Sequence, residues 1–230
     1  MPHRLLAALA LPALVAACAS RPTSTAAPGA PASAGAAAAA AVARPLGGLV
    51  GERVAVAPVQ RLRVVDSTLA AGASSADVAG YLSGLDSAIA AAAAERSSAW
   101  VYAPTVSRTA RRNPTYSPDV HRLAVSPLLA GRRLGPDNAL PDPLASQLRT
   151  VVALNDARYV VVPAELRLEP APSPARGRLV LRVALVDARA SQLRWAGEIA
   201  AALGPAPAPA LSPLAAATLA TRFADLIAAP

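Results

Sequence analysis

At 230 residues, with a formal net charge of +8 and Cys18 as its single cysteine, the chain has room for one core and no means of closing an internal disulfide. All 22 basic residues are arginine, a bias of GC-rich coding that also leaves no lysine for a Walker phosphate loop, and aromatic residues at 3% provide no stacking platform for single strands. Alanine supplies much of the 54% hydrophobic content, and no stretch beyond Cys18 joins about 18 large apolar residues, so no membrane-crossing helix is expected there.

The first element is Arg4, an apolar run from Leu5 to Val15, and then small residues, the order of a bacterial export signal and about half the length of a membrane span. Val15-Ala16-Ala17-Cys18 resembles the lipobox of bacterial lipoproteins, whose peptide is cut before the cysteine and whose thiol carries a diacylglycerol. The resemblance implies removal of residues 1–17, lipid attachment at Cys18 and a stable multi-chain membrane anchor. Ala19 stands where inner-membrane retention usually shows aspartate, which implies the periplasmic face of the outer membrane. The alternative is an ordinary cut before Ser20, which discards Cys18 and releases the chain.

Residues 18–45 are nearly all Ala, Pro, Ser, Thr and Gly and read as a lipidated N-terminus and flexible tether with a reach of roughly 30 Å. Residues 46–230 read as a single α/β domain. Val54, Val56 and Val59 mark a first strand over 52–59, ended by Pro58, with 61–66 as its continuation. Ser74, Ser75 and Asp77 offer capping chemistry for a helix to about Ser97, with Leu82, Leu85, Ile89 and Ala93 on its apolar face and Asp86 on the polar one. Trp100–Ala103 reads as a short strand stopped by Pro104.

Residues 104–142 hold six prolines and no sustained period, and read as a long Arg-rich excursion with at most one short helix near 120–129. Asp142 and Pro143 open a helix over 143–156. Tyr159–Leu168 and Arg178–Asp187 read as strands, the second with Leu179, Leu181, Val183 and Leu185 on one face and Arg178 and Arg182 on the other. After a tight connection, Gln192–Ala200 returns antiparallel with Leu193, Trp195 and Ile199 pointing one way. A proline spacer leads to a last helix over 212–228. The expected fold is α/β (α+β): a mixed sheet of about five strands with an antiparallel hairpin and helices packed on it.

Loss of the signal removes His3 and leaves His121 as the only histidine, so no two-histidine metal site and no free thiol nucleophile are expected, and no cofactor. His121 lies near Asp119 and Ser126, the residues a serine hydrolase would need, but a lone histidine in an arginine-rich loop is ordinarily solvated. Glu165 and Glu169 share a strand face, and Arg167 nearby makes them a solvent-facing charged stripe rather than a catalytic pair. The remaining concentration is Arg108, Arg111, Arg112, Arg122, Arg132 and Arg133 against Asp119 alone, a contact surface for an anionic partner or a solvated loop. Removal of Arg4 takes the net charge from +8 to +7. In a cytosolic protein that balance would suggest nucleic acid; in an exported one, acidic proteins, anionic lipids or acidic polymers are the targets.

Ala157-Arg158-Tyr159-Val160-Val161-Val162, then Leu185-Val186-Asp187-Ala188-Arg189 and Leu193-Arg194-Trp195, then a closing helix, resemble a recurring envelope module. It is similar to the periplasmic domain of curli-secretion-channel lipoproteins, penicillin-binding-protein activator lipoproteins and the amino-terminal domain of the Tol translocation protein B. The resemblance implies a non-enzymatic, membrane-anchored periplasmic adaptor for another envelope protein, with no small-molecule substrate. A subunit of an oligomeric envelope export or trafficking complex is the alternative, and an envelope-polymer hydrolase a distant one. No pair of long amphipathic hairpins is present to build a pore, and the 104–142 excursion has no counterpart.

Overall fold

A computed structural model describes residues 44–70, 73–130, 136–171, 177–204 and 209–227. The signal, Cys18, the tether as far as Ala43, and Arg132 and Arg133 lie outside the described residues.

The sheet is mixed and has five strands. β1 (Val54–Val56) and β2 (Leu62–Val64) lie end to end along β3 (Tyr159–Glu169), both parallel to it: Val54 opposes Tyr159 and Leu62 opposes Leu166. β4 (Arg178–Asp187) runs antiparallel to β3, and β5 (Gln192–Ala202) antiparallel to β4. Residues 61–66 therefore form a separate strand, because Pro58 interrupts the ladder between β1 and β2. The expected strand at Trp100–Ala103 is reduced to one bridge, in which Val101 exchanges two hydrogen bonds of 2.8 Å with Val54 and Val56.

Three layers result. One face of the sheet buries Val161, Leu166, Leu168, Leu179, Leu181, Val183, Leu185 and Ile199 against α1 (Ser75–Ala94) and the last helix, Pro213–Ile227. Ser74 caps α1 reciprocally with Asp77: Asp77 N–H donates to Ser74 Oγ, and Ser74 N–H donates to Asp77 Oδ2. Leu85, Ile89 and Ala93 point inward as the spacing requires, but so does Asp86, which is 7% exposed. Its carboxylate accepts the Val59 N–H at 2.9 Å, so the helix turns a carboxyl toward the chain that leaves β1.

The other face buries Val160, Val162, Ala164, Ala184 and Val186 beneath residues of the 104–142 excursion. That segment is not a solvated loop. It begins with a second helix, α2 (Ala103–Arg112), continues through a short α3 (Ser126–Leu129), and leads to α4 (Leu144–Leu154); the last helix is then α5. Pro104 does not stop a strand; it sits in the first turn of α2, where its missing N–H costs nothing. Val106, Val120, Leu123, Val125, Leu128 and Leu140 are buried. Their irregular spacing is set by side-chain clamps: Gln60 Nε2 donates to Val120 O, Leu123 N–H donates to Gln60 Oε1, and Ala124 N–H donates to Gln147 Oε1. Asp142 serves α4 from one position further out than expected, accepting the Ser146 N–H at 3.0 Å, and Pro143 occupies the cap position itself.

Two bulges decide which side chains reach which layer. At Pro163 the register with β4 slips so that Val161 and Leu166, of opposite parity, share one face. The second slip lies opposite Leu185 and Val186 and leaves Arg194 unpaired between Trp195 and Leu193. Leu193 and Trp195 consequently face opposite layers, correcting the expectation that they point together. Beyond the Pro163 bulge the second face carries charges instead of apolar groups. Arg61 pairs with Glu165 at 2.6 Å, Arg178 with Glu169 at 2.7 Å, and Arg167 with Glu198 at 2.8 Å. Glu165 is not solvent-facing: it is 3% exposed, and its partner is Arg61, not Arg167.

Candidate functional site

α2 is amphipathic over its whole length. Ala103, Val106 and Ser107 are buried and Ala110 is half-buried, at the three- and four-residue steps of one helical face. Arg108, Arg111 and Arg112 are exposed. Arg111 and Arg112 occupy the last turn, where cations complement the carbonyl end of the helix dipole.

A neighbouring turn adds a fourth arginine. Ser107 Oγ lies 3.1 Å from His121 Nε2, and the Asp119 carboxylate accepts the His121 backbone N–H at 3.0 Å, which fixes residues 119–122 beside α2. Arg122 is exposed there. Tyr116, 77% exposed, stands on the connecting loop. Among the described residues none of these four arginines has an ion-pair partner, whereas Arg61, Arg158, Arg167, Arg178 and Arg194 are all paired. Arg108, Arg111, Arg112 and Arg122 are thus brought together as one face; Arg132 and Arg133 lie outside the described residues.

The histidine meets a serine, but a different one from Ser126. Ser107 is 7% exposed and sits within α2, and Asp119 engages the histidine backbone, so no carboxylate among the described hydrogen bonds orients the ring. A nucleophile needs access and an oriented base, and this pair shows neither. Glu165 and Glu169 are each committed to arginines. Among the described residues no group of three or more His, Cys, Asp and Glu side chains is placed to hold a metal ion.

Asp187 anchors the β4–β5 turn. Burial opposes its ionisation, but hydrogen bonds from Arg158, the Ala190 N–H and Arg194 outweigh it and hold the carboxyl below the usual range. The Asp187-Ala188 step singled out in the sequence is therefore a turn-fixing device.

A groove of about 950 Å³ lies along the N-terminal halves of α1 and α5, walled by Leu69, Gly80, Gly84, Leu211 and Ala217. Tyr81 is among its lining residues; its hydroxyl is buried with no hydrogen-bond partner among the described residues, and burial pushes that phenol up to about 12. Thr68 and Asp77 add polar groups to its wall, and Asp77 is engaged in the α1 capping box.

No protein-family model matches the chain, and no curated protein matches it. Solved structures align with much of its folded part. The C-terminal domain of LpoB from Salmonella enterica aligns over 66% of this chain and 83% of its own, at 13% identity and a TM-score of 0.33. Lipoprotein GNA1162 from Neisseria meningitidis aligns over 68% and 84%, at 13% identity and 0.34. The LpoB C-terminal domain from Escherichia coli aligns over 66% and 82%, at 15% identity and 0.33. These values assign no family.

Proposed function

We propose that this chain is a lipid-anchored periplasmic module, held at the outer membrane by Cys18, that binds an acidic surface of another envelope protein through Arg108, Arg111, Arg112 and Arg122 and performs no chemistry of its own. The observation that carries the reading is the set of four exposed arginines on one ordered support, α2 and the turn held beside it, unpaired among the described residues, whereas Arg61, Arg158, Arg167, Arg178 and Arg194 are spent on carboxylates. Guanidinium forks take carboxylates bidentately, and an exposed Tyr116 beside them adds contact area at little entropic cost.

Exposed ion pairs contribute about 0.2–1 kcal/mol each, so four together account for roughly a four- to several-hundredfold effect on affinity. Wild type and a variant with all four arginines changed to Ser are compared for partner capture from crosslinked cells. His121 is left intact in the variant, so that the 119–122 turn stays in place beside α2. The variant is expected to lose most of the captured partner, and rising salt is expected to release it from wild type. Equal capture at every salt concentration would refute the role of this face.

A further inference from the structure

β5 is an edge strand. Beyond Gln192, where Ala139 bridges to it, no described strand pairs with its outer side. The ladder fixes which backbone groups are left over. Ala188 N–H donates to Arg158 O, so even-numbered residues of β4 bond toward β3; Leu203 N–H donates to Gly177 O, so odd-numbered ones bond toward β5. Leu179, Leu181 and Val183 face Ala201, Ile199 and Gly197. The N–H and C=O groups of Ala196, Glu198, Ala200 and Ala202 therefore point away from the sheet.

Natural sheets blunt such edges with lysine, proline, bulges or a covering element. The segment Ala196-Gly197-Glu198-Ile199-Ala200-Ala201-Ala202 has no proline or lysine, and its bulge lies outside it, at Arg194. Its one charge does not guard it, because Glu198 is folded back onto Arg167 through hydrogen bonds of 2.8 and 3.0 Å. Ala196 and Ala202 are exposed, and their methyl groups leave room for a neighbour at strand spacing.

We propose that this edge pairs antiparallel with β5 of a second copy of the chain, continuing the sheet through a two-fold dimer. The edge complements itself. With the axis at Ala200, small residues oppose small ones, and Glu198 faces Ala202 of the partner subunit instead of another carboxylate. Three backbone-bonded pairs form, giving about six hydrogen bonds. A second β5 arrives already extended, so it avoids the ordering cost that an unstructured peptide would bear at the same edge. The edge is available whether or not Cys18 carries lipid.

Cysteine crosslinking in membranes of cells making the full chain tests the register. At the axis the two Cα atoms lie about 5.5 Å apart, within disulfide reach. Ala200→Cys is expected to give a covalent dimer under mild oxidation, whereas Ser87→Cys, on the exposed side of α1, is not; wild type sets the background from Cys18. Sedimentation of the purified chain is expected to show a dimer whose dissociation constant rises at least about tenfold when Ala200 is changed to Pro, which removes the outward N–H at the axis and leaves the ladder to β4 in place, with the circular dichroism spectrum unchanged. Crosslinking of Ala200→Cys no faster than Ser87→Cys would overturn the proposal. So would a monomer persisting to about 100 µM, or a larger assembly in which residue 200 does not meet itself.

Discussion

Asp86→Asn is expected to abolish most of the pH dependence of stability between about pH 4 and 7 and to make the protein more stable at neutral pH. The carboxyl is 7% exposed on the core side of α1. Burial raises it from an ordinary 3.8 to about 7, partly opposed by the hydrogen bond it accepts from Val59 N–H. The sign follows from linkage: the folded state holds a proton that the unfolded chain releases near 3.8, so this contribution is fully present below about pH 4 and is lost as pH rises through about 7. The gap between 3.8 and about 7 corresponds to about 4 kcal/mol, a large share of the 5–15 kcal/mol typical of a domain. Asn keeps the acceptor for Val59 and cannot ionise. Urea unfolding at pH 4.5, 6 and 7.5, followed by Trp100 and Trp195 fluorescence, measures both proteins. Asp187 and Glu198 are held low by their arginines, so their contribution has the opposite sign, being present at neutral pH and lost as pH falls through and below the ordinary carboxylate range. Equal wild-type stability at pH 4.5 and 7.5, or an Asn variant that tracks wild type, would refute a buried protonated carboxyl.

Ser74→Ala removes the hydroxyl that accepts the Asp77 N–H, leaving the backbone half of the α1 capping box, and is expected to cost about 1 kcal/mol, read from the urea midpoint at constant slope. Gly197→Ala places a methyl group against the indole of Trp195, which covers Gly197 on the inner face of β5. The ring must shift, with a cost of about 1–3 kcal/mol and a change in tryptophan emission, whereas Ala196→Ser, next to it on the exposed side, should be silent in both. Phe223→Ala, at a fully buried position of α5, is expected to cost about 3–5 kcal/mol, read from the same urea curves.

What the sequence made legible was local and periodic. The alternation of Leu179, Leu181, Val183 and Leu185 places β4, and the Ser74–Asp77 spacing places the start of α1, because each signal is complete within a few residues. The bulges are not: Pro163 hints at one, but nothing in the run Leu193-Arg194-Trp195 announces that its two large side chains part company. Pro104 is compatible with ending a strand or opening a helix, and only the buried steps Ala103, Val106, Ser107 and Ala110 decide for the helix. Those residues are small, so a search for large apolar residues passes over them. Asp86 was hidden for the opposite reason, since a carboxyl on a helix is ordinarily solvated and its burial depends on Val59, distant in sequence. The arginines were visible as a run of charge. Their gathering into one face depends on the Ser107–His121 contact, which no spacing rule specifies.

Attachment of the chain to a membrane through Cys18 underlies the proposed function. Mass spectrometry of the N-terminal peptide of the exported protein tests that attachment directly. The expected product begins at Cys18 and carries diacylglycerol on the thiol; a product that begins at Ser20 and carries no fatty acid would contradict a lipid-anchored adaptor.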